Sequence, residues 1–102
     1  MKNNLEGRKN FMKVEVKNIA LIKESMTRRK AYAAIIINDS MEFDGLAVME
    51  GKKGLFVTMP QRQYEDKGNI KYSYIYFPFS KKAREEIIGA VLDAYEKELD
   101  KI

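Results

Sequence analysis

The chain has 102 residues, of which 45% are hydrophobic, and a net charge of +4 at neutral pH. This length allows one domain with a single small core. The sequence contains neither cysteine nor histidine. Disulfides, thiol nucleophiles and thiolate metal sites are therefore excluded, and the usual general base near neutral pH is missing. We expect a protein that is not an enzyme and that has no catalytic residues, no metal, no other cofactor and no small-molecule substrate.

The N-terminal segment is polar and carries no hydrophobic pattern. Residues 1–11 contain no apolar run that resembles a signal peptide, so we expect a flexible extension before a single domain at residues 12–102. No stretch approaches the roughly 20 apolar residues of a membrane span. The expectation is a cytoplasmic protein without a membrane partner. The mildly basic composition permits nucleic-acid binding without requiring it.

Five short strands are predicted from alternating or continuous runs of hydrophobic residues. They cover residues 13–22, 31–38, 41–49, 55–59 and 70–77. The hydrophobic positions of the first strand change parity near Lys17-Asn18, which predicts a bulge because one extra residue reverses the face. A second bulge is predicted at Gly45. Residues 31–38 are apolar at both parities, which indicates a central strand covered on both faces.

The last strand follows a loop and precedes a helix. Residues 61–69 are polar and are expected to form that loop. After Pro78 the hydrophobic spacing becomes helical, with Ser80 as a good N-cap and a helix that extends from Lys81 to about Asp100. The sequence therefore predicts an α+β fold, in which an antiparallel sheet of about five short strands carries one C-terminal amphipathic helix packed on it.

Cationic residues occur at three places that strand alternation would bring together. If all successive strands reverse direction, the first turn, the third turn and the start of the helix lie at the same end of the sheet. The cations of these places are Arg28, Arg29, Lys30, Lys52, Lys53, Lys81, Lys82 and Arg84. Backbone N–H groups at a helix start also attract phosphate. Lysines in a single turn are usually only solvated, but three basic places at one edge favour phosphate binding.

The most distinctive motif is Gly54-Leu55-Phe56-Val57-Thr58-Met59-Pro60. It resembles the G-L-F-V-x-M-P signature of the SpoVG family, the stage V sporulation protein G or septation regulators. The similarity covers residues 12–99 with nearly collinear spacing, including the helix start after Pro78. Phe77 departs from the pattern, because many members have histidine there, and the segment from Tyr64 to Tyr76 is longer and richer in tyrosine. The motif itself is typical of architecture: a glycine turn, a buried strand and a proline stop.

The resemblance implies a small, dimeric bacterial protein that binds DNA, and in some members RNA, and so modulates gene expression. It also implies that Lys81, Lys82 and Arg84 contribute to nucleic-acid contact. It does not imply that the host sporulates.

Arg84 and a group of three tyrosines each have two possible roles. Arg84 lies on the apolar side of the helix and could contact phosphate or pair internally with a carboxylate. Tyr72, Tyr74 and Tyr76 share one predicted strand face and could stack on bases, although a dimer interface is the favoured hypothesis. The alternative function is a protein-interaction module that acts through an exposed sheet edge without nucleic acid.

Overall fold

The computed structural model describes residues 12–23 and 27–102. The predicted extension at residues 1–11 and part of the first basic turn, residues 24–26, lie outside the described residues. The strands are β1 (Val14–Leu21), β2 (Arg29–Ile37), β3 (Met41–Gly51), β4 (Gly54–Thr58), β5 (Gln61–Asp66) and β6 (Asn69–Tyr74), and the C-terminal helix is α1 (Lys81–Leu99). The predicted α+β fold is confirmed, with six strands among these described residues in place of about five.

The first four strands form one antiparallel sheet in the order β1-β2-β3-β4. Both predicted bulges are present. The β1 register shifts between Val16 and Asn18, and the β3 register shifts between Phe43 and Leu46, around Gly45 with its φ of +85°. Each bulge lets its strand keep hydrophobic residues toward the core after the parity changes.

Within the part of the chain that the structure describes, the remaining strands β5 and β6 pair only with each other, as an antiparallel hairpin. Its turn is Lys67-Gly68, with positive φ values of 52° and 83°, the conformation of a type I′ turn. The predicted loop at residues 61–69 is therefore wrong. Periodicity missed β5 because five of its six residues are polar and both hairpin faces are exposed. The glycine in the turn Lys67-Gly68 was the sequence feature that could have indicated a hairpin.

Helix α1 packs on one face of the four-stranded sheet. Ile87, Val91 and Tyr95 recur every four residues and are buried. They meet buried side chains of the sheet and of the segment after β4: Ala31, Ala33, Ile35, Leu46, Val48, Val57 and Met59. Fully burying one Leu, Ile or Val side chain stabilises the fold by about 1.5–3 kcal/mol. This interface is therefore the core of the domain.

The opposite face of β2 is only partly covered. Tyr32 is 44% exposed there, so the predicted coverage of residues 31–38 on both faces is wrong at this position. The physical reason is that α1 occupies only one face, while the β5–β6 hairpin does not lie flat on the other. The sheet consequently has an open face.

After the β5–β6 hairpin, the chain comes back to the end of β4 before α1 begins. The backbone N–H of Ile75 donates to the carbonyl of Pro60 at 2.9 Å, which closes the base of the hairpin. Helix α1 therefore begins beside the β2–β3 turn, where Ser80 and Ala83 share an apolar hollow with Ile37 and Phe43.

Tyr76 fastens this junction to the sheet. Its hydroxyl donates to the carbonyl of Asp44 at 2.6 Å, and its ring packs edge-on against Phe43 with centroids 4.9 Å apart. Burial, and secondarily the Asp44 charge, raise the pKa of Tyr76 from 10.0 to about 12. Tyr76 lies beyond the end of β6, so it does not share a strand face with Tyr72 and Tyr74 as predicted.

Gly45→Ala should destabilise the protein by about 1–2 kcal/mol, because the left-handed conformation penalises a side chain. The new Cβ would also lie 3.2 Å from the Cβ of Pro60. Urea unfolding measures the effect. Gly89→Ala is the control: it lies within α1 with no atom within 4 Å of the added Cβ, and should stabilise by about 0.5–1 kcal/mol. The same sign for both variants would contradict the role of the Gly45 bulge.

Tyr76→Phe should lower the free energy of unfolding by about 1 kcal/mol through loss of the hydrogen bond to Asp44. The folded-state pKa of Tyr76 lies above its unfolded value, so its contribution is complete below about pH 10 and is lost as the pH rises toward 12. The variant should therefore lose less stability across this window than the parent. Unfolding at a series of alkaline pH values tests this, with the exposed Tyr64→Phe as control. A decline in Tyr76→Phe as steep as in the parent would refute the assignment.

Candidate nucleic-acid interface

Five of the eight predicted cations gather at one end of the sheet. We call them the turn cluster: Arg28, Arg29, Lys30, Lys52 and Lys53. Arg28, Lys52 and Lys53 line a shallow hollow of about 310 Å³ with the glycines of the β3–β4 turn. Two contacts join the start of β2 to the end of β3: the Glu50 N–H donates to the Arg28 carbonyl at 2.8 Å, and Arg28 Nε donates to the Glu50 carbonyl at 3.2 Å. The cluster is therefore held by backbone contacts between two elements.

The cations of the turn cluster differ in how freely they can contact an anionic ligand. Lys30 Nζ lies 3.3 Å from a carboxylate oxygen of Glu50, which offsets its charge. Lys52 and Lys53 are exposed, and neither pairs with a carboxylate in the described parts of the chain. Arg29 places Nη1 3.4 Å from the hydroxyl of Tyr32, on the open face of the sheet. Arg29, Lys52 and Lys53 are thus the cations best placed for an anionic ligand.

The other three cations surround the start of α1; we call Lys81, Lys82 and Arg84 the helix-start cluster. The Ser80 hydroxyl accepts the Ala83 N–H at 3.1 Å, which confirms the predicted N-cap. Lys81 and Lys82 are exposed, and the first turn contains no acidic residue. Lysines oppose the helix dipole at this end, so their placement favours a role beyond helix stability.

Arg84 makes internal contacts different from those predicted. Its Nη1 donates to the carbonyls of Pro78 at 3.0 Å and Phe79 at 3.1 Å. Its guanidinium carbon lies 5.2 Å from the centroid of the Phe77 ring, a cation–π distance. The predicted carboxylate pair is not found among the described residues, and this guanidinium instead holds the turn before α1. Phosphate contact by Arg84 stays a prediction.

The prediction that all eight cations share one edge is wrong. The nine residues of β2 separate the two clusters by roughly 26 Å. Strand alternation holds within the four-stranded sheet, but the additional strand β5 makes the chain go out and back before α1 starts. One more reversal places the helix start at the opposite end. The contact of either cluster with nucleic acid stays a prediction.

The helix-start end also carries more negative charge near its lysines. Lys13 Nζ lies 3.2 Å from Asp39 in the β2–β3 turn, and this hydrogen bond raises the pKa of Lys13. Lys81 Nζ lies 3.9 Å from a carboxylate oxygen of Glu85. The turn cluster is therefore the more favourable of the two ends for an anion.

Two of the three predicted interface tyrosines do share a surface. On the hairpin, Tyr72 faces Gln63 and Tyr74 faces Gln61 across the strand pair. The ring of Tyr74 packs against Phe77, with centroids 4.6 Å apart. These residues are exposed at the hairpin surface. Their role in dimerisation stays a prediction.

A cleft on the open face of the sheet was not predicted. It measures about 410 Å³ and lies between the sheet and the hairpin. Its lining consists of Arg29, Tyr32, Gly45, Ala47, Met49, Thr58, Met59, Pro60, Gln61, Gln63 and Tyr72. Tyr32 alternates along β2 with the core residues Ala31 and Ala33, and this alternation was the sequence signal that it faces away from the core. The glutamines were missed because residues 61–69 were assigned to a loop.

The comparisons with known proteins agree with the motif. A model of the SpoVG family matches residues 10–97. Among relatives whose names include the words septation protein SpoVG, one from Archaeoglobus fulgidus is 39% identical over 68% of this chain and 78% of its own length. One from Heliobacterium modesticaldum is 39% identical over 71% and 78%, and one from Lachnospira eligens 38% over 86% and 92%. No helix among the described residues is long and apolar enough to cross a membrane. The motif, the family match and these relatives show that the chain belongs to the SpoVG family.

Proposed function

We propose that the protein is a non-enzymatic nucleic-acid-binding regulator that modulates gene expression through phosphate contacts with DNA or RNA. The observation that carries the proposal is the turn cluster, in which two sequence segments present exposed Lys52 and Lys53 beside Arg28 and Arg29. Clustered cations of this kind attract the phosphate backbone and release its counterions. The relatives' names refer to septation, and regulation of that process is compatible with this role.

The separation of the two clusters suits an extended ligand. Roughly 26 Å corresponds to about eight base steps of one strand in a duplex. A strand lying along the sheet can therefore meet Lys52 at one end and Lys81 at the other. Sequence readout should be limited, because the apolar side of α1 is buried on the sheet and does not present a recognition helix.

Replacement of Lys52 and Lys53 by glutamine should weaken binding to both DNA and RNA probes, irrespective of sequence. Log affinity falls linearly with log salt, and each lost phosphate contact makes this fall less steep by about one unit, so the double variant should be less steep by about two. Fluorescence anisotropy with a labelled oligonucleotide at several salt concentrations measures both quantities. Lys97→Gln with Lys101→Gln is the matched control, because it removes the same charge near the C-terminal end of α1.

The same titration with Lys81→Gln and Lys82→Gln tests the helix-start cluster. Weaker binding would place a second set of phosphate contacts there, whereas unchanged binding would confine the interface to the turn cluster. Equal losses in all three double variants would indicate a net-charge effect and contradict a localised interface. Binding of the parent protein that does not change with salt would refute the electrostatic proposal.

The hairpin favours a second candidate function, interaction with another protein chain. Three large side chains on one hairpin face, Ile70, Tyr72 and Tyr74, are 47–63% exposed. A two-stranded hairpin is at best marginally stable alone in water, so a covering partner would stabilise it. We propose a second copy of this chain as that partner. If DNA and RNA probes both fail to bind, protein interaction through this surface is the function that remains.

Ile70→Ser combined with Tyr74→Ser should convert a dimer into a monomer by removing apolar area from the shared surface. Sedimentation equilibrium at micromolar concentration measures the mass, and circular dichroism verifies the fold. Leu99→Ser, an exposed apolar residue at the end of α1, is the control and should remain dimeric. A parent protein that is only monomeric would count against the proposal.

A further inference from the structure

The cleft on the open face of the sheet has a floor of small and apolar groups. A cross-strand row of Tyr32, Ala47 and Thr58 crosses β2, β3 and β4. Ala47 contributes one buried methyl group to this floor, and Gly45 has no side chain, so that Pro60 packs close to the backbone of β3. The resulting volume of about 410 Å³ is within the usual range for small-ligand sites.

The walls of the cleft carry groups that suit a planar, polar ligand. Tyr32 comes from the sheet and Tyr72 from the hairpin, so exposed aromatic rings approach from two elements. Gln61 and Gln63 each present an amide that can both donate and accept hydrogen bonds. Gln63 lies directly opposite Tyr72 in the hairpin register, which brings an amide and a ring to one position.

The electrostatics of the cleft suit a ligand attached to phosphates. Among the described residues, no aspartate or glutamate lines the cleft, whereas Arg29 does. Arg29 also belongs to the turn cluster, next to Arg28, so the cleft and the cationic end of the sheet adjoin. A strand whose phosphates lie on the turn cluster can therefore place a neighbouring base in the cleft.

We infer that this cleft binds an unpaired nucleobase of a single-stranded nucleic acid, by stacking on Tyr72 or Tyr32 and by hydrogen bonds to Gln61 and Gln63. The inference rests on the proposed function and adds to it the site and the strandedness of the ligand. A duplex keeps its bases stacked inside and gains nothing from this cleft. Tyr72 is thereby assigned to base binding in place of dimer contact.

The test compares how the protein binds a labelled oligothymidine of ten nucleotides and a labelled duplex of ten base pairs. Tyr72→Ala should weaken binding of the single strand about 5- to 100-fold, the range expected for one stacked base, and leave duplex binding unchanged. Tyr64→Ala is the matched control, because Tyr64 lies on the opposite face of the same hairpin and is likewise exposed. Tyr32→Ala tests the cleft from the sheet side, independently of the hairpin's stability.

Photo-crosslinking locates the base directly. An oligonucleotide containing 5-bromouracil should attach to the tryptic peptide of residues 72–81, with fragmentation placing the adduct on Tyr72, or to Tyr32 in the peptide of residues 31–52. Adducts confined to residues outside the cleft would overturn the inference.

The outcomes separate this inference from the proposed function. If lysine replacements in the turn cluster weaken binding of both probes while Tyr72→Ala and Tyr32→Ala weaken neither, phosphate binding stands and the cleft assignment fails. If the parent protein binds neither probe, the proposed function fails and the inference falls with it. If Tyr72→Ala dissociates a dimer in sedimentation, a second copy occupies the cleft and the assignment to a base is overturned.

Discussion

The packing of α1 across one face of the four-stranded sheet is the constraint on which the rest of the structure depends. Ala31 and Ala33 of β2 and Val91 of α1 are buried together in the core at this face. This contact forms the hydrophobic core, and α1 covers only one face of the sheet. The other face carries no helix, and a cleft lies there between the sheet and the hairpin.

The second constraint is the closure of the hairpin at its base. The bond from Ile75 to Pro60 returns the chain to the end of β4, and the Tyr76 contacts with Phe43 and Asp44 anchor that return on the sheet. The start of α1 is thereby held beside the β2–β3 turn. This placement separates the helix-start cluster from the turn cluster. The cations therefore lie at two ends of the sheet and do not form a single basic edge.

Local features of the fold were predictable because their signals lie in neighbouring residues. The bulge near Lys17 follows from a change of parity within one strand, and the bulge at Gly45 from a glycine inside a hydrophobic run. The N-cap at Ser80 follows from residue chemistry at the start of a helical pattern. Strand β5 was not predictable from periodicity, because a hairpin with two solvent-exposed faces has no buried side to impose alternation.

The sequence by itself determined the family, the α+β class, the helix and five of the six described strands, together with the absence of histidine and cysteine chemistry. Tertiary structure alone decided which cations lie together, that Arg84 contacts carbonyls, and that Tyr32 and Tyr72 face a common cleft. The grouping of the cations and the common cleft depend on the number of chain reversals between distant segments, whereas the Arg84 contacts depend on the path of the backbone through Pro78 and Phe79. A single missed strand changes the end of the sheet at which every later residue lies, although no local pattern changes.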